Sequence, residues 1–276
     1  MRLSWKMGRV AGIDVYIHAT FLLVFLFAGE FGGGAVRAIE SILVISSVFG
    51  CVLLHELGHA LMARRFGIGT VDITLYPIGG VARLQRMPRA PGAELLIALA
   101  GPAVNFAIAL GVFGLMELAW LTLGWPWNFE SLLFELCIIN LGLGLFNLIP
   151  AFPMDGGRVL RALLSSGLGR AKATRIASTV GQILAVTLVV VAYNWTGHVS
   201  PVHLALAAFI FFAARSEEAQ VLYEERRRLG SHGASPGMWV APPGYTWVNR
   251  GNGFWQLAPL GVKYADPAAT DASAWS

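Results

Sequence analysis

Six stretches of the chain, near residues 13 to 29, 41 to 63, 93 to 123, 131 to 149, 177 to 195 and 201 to 214, are apolar over lengths that reach or approach what a hydrocarbon core about 30 Å thick demands. Nothing else limits the available folds as much, because a backbone in lipid must satisfy its own hydrogen bonds and a run of this length does so as a helix. Composition agrees: 56% of the 276 residues are hydrophobic and 13% charged, against roughly 25% charged in an ordinary soluble domain. The expected fold is an all-α membrane protein with six transmembrane helices. The third stretch is long enough to tilt, or to break at Gly111 or Gly114. Arg2, Lys6 and Arg9 precede an apolar run that continues into further membrane sequence, so no cleaved signal peptide is expected. The two cysteines, Cys51 and Cys137, lie in apolar runs, which excludes a disulfide scaffold and a Cys-rich zinc ribbon.

The net charge of +4 could suggest nucleic acid, but the basic residues fall between the apolar stretches rather than on one patch, and no nucleic-acid partner is expected. Lys and Arg are retained on the cytoplasmic side of short loops. With the N-terminus inside, Arg37 alone of the 20 Lys and Arg residues falls in an outer segment. That alternation supports six crossings of the cell membrane with both termini cytoplasmic.

The second stretch contains His55-Glu56-Leu57-Gly58-His59, the H-E-x-x-H pattern. On a helix, residues four apart stack on one face about 6 Å apart, so both imidazoles can address one ion. Glu56 then stands beside the metal, where a carboxylate can take a proton from water and pass it to a leaving amine. Burying such groups in hydrocarbon costs about 2.5 to 3.5 kcal/mol for a carboxylate at mid-membrane, so they persist where they face a cavity and serve a function. If the helix ends at Arg64, His59 and His55 lie about 8 and 14 Å below the inner surface. A catalytic zinc wants three protein ligands and an open position. The third candidate is Asp155, in Pro150-Ala151-Phe152-Pro153-Met154-Asp155-Gly156-Gly157-Arg158, where the fourth span breaks at two prolines into an extended segment. Irregular backbone at membrane depth requires cover by protein or a water-filled cavity.

With these residues in hand, the chain resembles the site-2 protease family of intramembrane zinc metalloproteases from about residue 8 to 215, in its sporulation-factor-processing, CBS-associated branch. Four segments carry the likeness: His55 to His59; Tyr76-Pro77-Ile78-Gly79-Gly80-Val81-Ala82-Arg83; Ala100-Gly101-Pro102-Ala103-Val104-Asn105; and Asn147 to Arg158. The resemblance implies that His55, His59 and Asp155 bind one Zn2+, that Glu56 is the general base, and that a peptide bond of a membrane-embedded substrate is hydrolysed. It also implies a supporting role for Asn147. An amide there suits either a donor to the oxyanion or a cap on broken backbone.

Val71, Ile73 and Leu75 alternate ahead of Gly79-Gly80, which predicts a short cytoplasmic β-hairpin or re-entrant segment, either an ordinary hairpin or an edge that pairs with an unwound substrate. Gly101, Pro102 and Asn105 read as packing residues inside the bundle. Glu94, at the inner start of the third span, is expected to pair with a basic loop residue; Arg158 suits either positioning of substrate or anchoring of its loop at headgroups, and the anchoring role is the expected one.

Residues 1-215 thus form the expected intramembrane metalloprotease domain and 216-276 a small cytoplasmic tail. The tail opens with a charged amphipathic stretch over 216-229 and holds a small hairpin built from Tyr245 to Val248 and Gly253 to Leu257. Its end beyond Ala265 has the composition of a disordered segment. Many relatives carry a pair of CBS domains or an inserted PDZ domain; roughly sixty residues are too few for a CBS pair. The implied partners are a membrane-protein substrate, the bilayer and a regulatory membrane protein. The competing reading is an inactive metal-binding scaffold or a transporter, but no second copy of either motif provides the internal repeat a transporter favours.

Overall fold

In the computed structural model, which describes residues 4–21, 24, 34–77, 79–124, 132–232, 241–249 and 255–260, the chain opens on strands where the first apolar span was expected to begin. Strand β1, Ser4–Val10, turns back through Ala11 and Gly12 into β2, Ile13–His18. Both turn residues have positive φ, 51° and 85°, the geometry that matches strand twist in a tight hairpin. Residues 13–18 were expected to open the first span; instead Ile13 and Val15 are buried while Asp14 pairs with Lys6, an alternation of period two that suits a sheet. Ala19–Phe21 continue as a single 3-10 turn, and residues 22, 23 and 25–29 of that expected span lie outside the described residues.

Helix α1, Gly34–Arg65, follows, then β3, Thr70–Tyr76, and β4, Gly79–Leu84. The expected hairpin is therefore half of a four-stranded sheet of order β1-β2-β3-β4, in which β2 and β3 are parallel and the other pairs antiparallel. Parallel neighbours need a crossover, and α1 runs between them. The sheet packs on α1 where Ile13 and Ile73 meet Ala60, with Leu53, Leu57 and Ala82 around them.

Helix α2, Pro91–Leu123, is unbroken through Gly111 and Gly114. It lies close against α1: a β-carbon on Gly58 would come within 2.8 Å of the Ala100 carbonyl oxygen and of Val104 Cγ2. Small residues let helix backbones approach in this way. Helix α3, Leu132–Asn147, ends at the proline-bearing segment 148–154, and α4, Asp155–Leu168, begins immediately after it. Ala151 and Phe152 of that segment are fully buried, and the Phe152 amide donates to the Ala177 carbonyl at 3.4 Å on α5, Arg170–Thr196. Helix α6, Pro201–His232, joins the last expected span to the charged stretch as one element. Residues 41–65 of α1, all of α2 and all of α5 are long and apolar enough to cross a membrane, and α3 is a shorter apolar helix.

By its internal contacts the chain divides into residues 1–223 and 224–276. The second part contains the hairpin, β5 (Tyr245–Asn249) antiparallel to β6 (Trp255–Pro259). Residues 261–276, including the tail's expected disordered end, are outside the described residues.

Candidate metal centre

His55 and His59 lie one turn apart on α1, in the half that the sheet and α2 cover, and are 5% and 4% exposed. Their Nε2 atoms are 3.1 Å apart. Asp155, the first residue of α4, brings Oδ2 to 3.2 Å from His55 Nε2 and 3.0 Å from His59 Nε2. The three atoms form a nearly equilateral triangle. Donors at ordinary bond lengths from a tetrahedral zinc stand about 3.3 to 3.5 Å apart, so this triangle is one slightly closed face of such a tetrahedron. The chemistry of the set fits as well: two imidazoles and a carboxylate, with one vertex left for water or substrate.

The surroundings are shaped to the triangle. A β-carbon on Gly101 of α2 would run into His59 Nε2 and stand 2.7 Å from His55 Nε2, so only glycine allows α2 to lie here. The Ile97 carbonyl lies 2.7 Å from His59 Nδ1. A carbonyl can only accept, so Nδ1 carries the proton and Nε2 keeps its lone pair. On the other imidazole, Asn105 Nδ2 lies 3.1 Å from His55 Nδ1. Asp155 is fixed by close packing of its own turn. β-carbons on Gly156 and Gly157 would collide with the backbone of the 148–152 segment, which confines α4 to this approach.

Glu56, half-buried, points to the sheet side of α1, where its Oε2 accepts the Ala82 amide of β4 at 3.1 Å. A side chain on Gly80 would stand 2.6 Å from Glu56 Cγ. The glycine pair of the Tyr76 to Arg83 segment is therefore what lets β4 lie against this glutamate. Asn147 is the last residue of α3, and its Nδ2 donates to the Leu143 carbonyl of the same helix at 3.0 Å. Among the described residues no hydrogen bond joins it to the histidines or to Asp155.

Two basic residues have acidic partners within the protein. Arg161, counted as a cytoplasmic loop charge, is fully buried on α4: its Nε donates to Glu94 Oε1 at 2.7 Å, its Nη1 to Glu217 Oε2 at 3.4 Å, and its guanidinium stacks 4.9 Å from the centre of the Phe152 ring. Arg158, expected at headgroups, faces Glu217 at 3.8 Å. Glu94 does pair with basic residues, Arg161 and Arg170. What sequence reasoning missed is that Glu94, Ile97, Gly101 and Asn105 share one face of α2, the face turned to the triangle. Their spacing of three, four and four residues was the available signal.

The model of peptidase family M50 matches residues 43–124 and 114–191. The chain belongs to this family, the site-2 proteases. It is 36% identical to the zinc metalloprotease MJ0392 of Methanocaldococcus jannaschii over 228 residues, a match that covers 81% of this chain and 63% of that protein. To Rip3 of Mycobacterium tuberculosis it is 33% identical over 245 residues, covering 80% of this chain and 60% of that one. This chain thus spans about three-fifths of these relatives' lengths. Stage IV sporulation protein FB of Bacillus subtilis is 29% identical over 165 residues, covering 59% of this chain and 52% of that protein. Among solved structures, the site-2 protease from Methanocaldococcus jannaschii superposes with a TM-score of 0.58 at 35% identity, over 78% of this chain and 95% of that one. The mostly helical fold with its small sheet is the site-2 protease fold.

Proposed function

We propose that this chain is an intramembrane zinc endopeptidase that hydrolyses peptide bonds in or near transmembrane segments of other membrane proteins, as a step in regulated intramembrane proteolysis. The observation that carries the proposal is the triangle of His55, His59 and Asp155 donors assembled beside Glu56. His55, His59 and Asp155 would hold one zinc ion. When bound, zinc supplies a Lewis acid that eases deprotonation of water near neutral pH and polarises a carbonyl. Glu56 accepts the proton of the attacking water and delivers it to the departing amine. The Ala82 amide keeps its carboxylate directed along one side of α1. Asn147 has a second N–H beyond the one given to Leu143, and that donor is the candidate for the developing oxyanion.

Peptide bonds inside a helix are hydrogen-bonded and shielded, so the substrate has to unwind before water can attack. Strand β4 lies at the sheet's edge beside Glu56, which favours the reading in which the unwound segment adds to that edge. Small or helix-breaking residues would then mark the cut site.

The proposed topology has six spans in the cell membrane with both termini cytoplasmic. Its support is the charge alternation, together with the sheet itself. Strands β1 to β4 belong to one sheet and so to one side of a membrane, which puts Lys6, Arg9 and Arg83 on the same side.

Co-expression with a membrane-anchored substrate tests the function. Glu56→Gln, at unchanged protein level and metal content, abolishes cleavage; persistent cleavage removes the general base, and the inactive-scaffold reading gains if no substrate is ever cut by the wild type. Asp155→Ala loses zinc, and undiminished zinc in that variant moves the third ligand elsewhere.

A further inference from the structure

The two imidazoles of the triangle have unlike partners on α2. His59 faces a carbonyl, which can only accept, so its tautomer is fixed with Nε2 free to bind a cation. His55 faces a carboxamide, which can donate or accept. With Nδ2 turned to His55 Nδ1, that nitrogen is an acceptor and the imidazole proton sits on Nε2, pointing into a triangle whose other corners are themselves electron-pair donors. A cation there needs the opposite tautomer, with the proton on Nδ1 and an acceptor facing it. Asn105 has that acceptor in reserve: it is 1% exposed, and among the described residues its Oδ1 is buried without a hydrogen-bond partner.

We infer that Asn105 is a positioning residue for the metal, a carboxamide that turns over about its terminal bond so that its oxygen accepts the Nδ1 proton of His55 when the ion binds. Oxygen and nitrogen of a carboxamide are nearly the same size and occupy exchangeable places, so the turn needs no repacking around a buried side chain. An acceptor behind a metal-bound imidazole fixes its orientation and raises its basicity, and losing one typically costs 10- to 100-fold in metal affinity. This assigns chemistry to a residue of the Ala100 to Asn105 segment that packing alone would also explain, and it accounts for asparagine over an apolar residue of the same volume.

The inference rests on the proposed zinc site, and the test separates the two. Zinc affinity of the detergent-solubilised full chain is measured by competition with a chromophoric chelator, and the cobalt-substituted protein gives a ligand-field spectrum that needs no substrate. Wild type that takes up no zinc or cobalt overturns the site itself. With wild type binding, Asn105→Leu, which keeps the volume and removes the acceptor, weakens zinc about 10- to 100-fold and shifts the cobalt spectrum. Asn105→Asp keeps an acceptor and binds at least as tightly as wild type. Asn105→Leu binding as well as wild type overturns the proposal. So does equal weakening in both variants, since packing rather than an acceptor would then be what was lost. If the Leu variant does not accumulate as folded protein, Asn105→Asp decides alone: retained or tighter binding supports the acceptor role, and weakened binding overturns it.

Discussion

Arg161 Nε donates to Glu94 Oε1 at 2.7 Å, with the guanidinium fully buried and the carboxylate 3% exposed. The pair joins the first turn of α2 to α4, the helix whose first residue is Asp155, and so fixes the face that touches both imidazoles relative to the third donor. The two ends are not equivalent. Glu94 also accepts from Arg170 Nη1 at 3.1 Å, whereas among the described residues Arg161 has Glu217, at 3.4 Å, as its one carboxylate besides Glu94. Removing one member of a buried pair strands the other's charge, at a cost of about 3 to 5 kcal/mol. Glu94→Leu takes the shared carboxylate from two guanidinium groups, leaving Arg161 with Glu217 and Arg170 with the Pro88 carbonyl, and lowers the thermal unfolding midpoint strongly. Arg161→Met leaves Glu94 with Arg170 and lowers it less, and the double variant recovers part of the Glu94→Leu loss. An Arg161→Met midpoint at or below that of Glu94→Leu contradicts this picture.

Gly101 sits where no side chain fits. Gly101→Ala pushes a methyl group into His59 Nε2, and overpacking of this kind costs about 1 to 3 kcal/mol, which taken up at the donors is about 5- to 150-fold in zinc affinity. Gly111, on the same helix with nothing within 4 Å of its β-carbon position, is the control. Metal content after dialysis against graded zinc falls for Gly101→Ala and stays at the wild-type level for Gly111→Ala.

The histidine pair is legible in the sequence because the four-residue spacing is local and a helix converts it directly into a shared face. Asp155 is legible for a related reason: a helix break at two prolines inside an apolar protein has to be covered, and the cover is the bundle that holds the histidines. The strand at residues 13–18 is harder to see, since Ile13, Val15 and Ile17 also extend the apolar run toward residue 29 and the period-two signal is lost in it. Arg161 reads as a loop charge because position along a chain says nothing of a partner 67 residues away. Asn105 and Ile97 escape for another reason: one acts through a side chain common in packed membrane helices and the other through a backbone carbonyl, which no residue type advertises.

Ala82 offers a backbone donor that can be deleted alone. Its N–H leaves the ladder toward Glu56, and proline is tolerated at an edge position whose N–H is not paired to the neighbouring strand. A hydrogen bond to a charged group is worth about 1.5 to 3 kcal/mol, so Ala82→Pro lowers kcat about 10- to 150-fold through loss of the carboxylate's orientation. Zinc content stays at the wild-type level because no ligand is touched. Kinetics on a purified membrane substrate check this, and a rise in KM with unchanged kcat would show that the amide serves substrate docking instead.

Zinc binding to the folded chain has to appear as stability, because the unfolded chain does not hold three donors taken from residues 55, 59 and 155 together. At a free zinc concentration 100 times the dissociation constant the folded state gains about 2.7 kcal/mol. Stripping the ion with a chelator therefore lowers the unfolding midpoint of the wild type, and returning zinc restores it. In Asp155→Ala the same cycle moves the midpoint far less, since two imidazoles alone bind weakly. Glu56→Gln, which leaves all three donors in place, keeps the full zinc-dependent shift while losing cleavage. A Glu56→Gln variant that loses the shift would make Glu56 a ligand rather than the base, and an Asp155→Ala variant with the full shift would take the aspartate out of the coordination sphere.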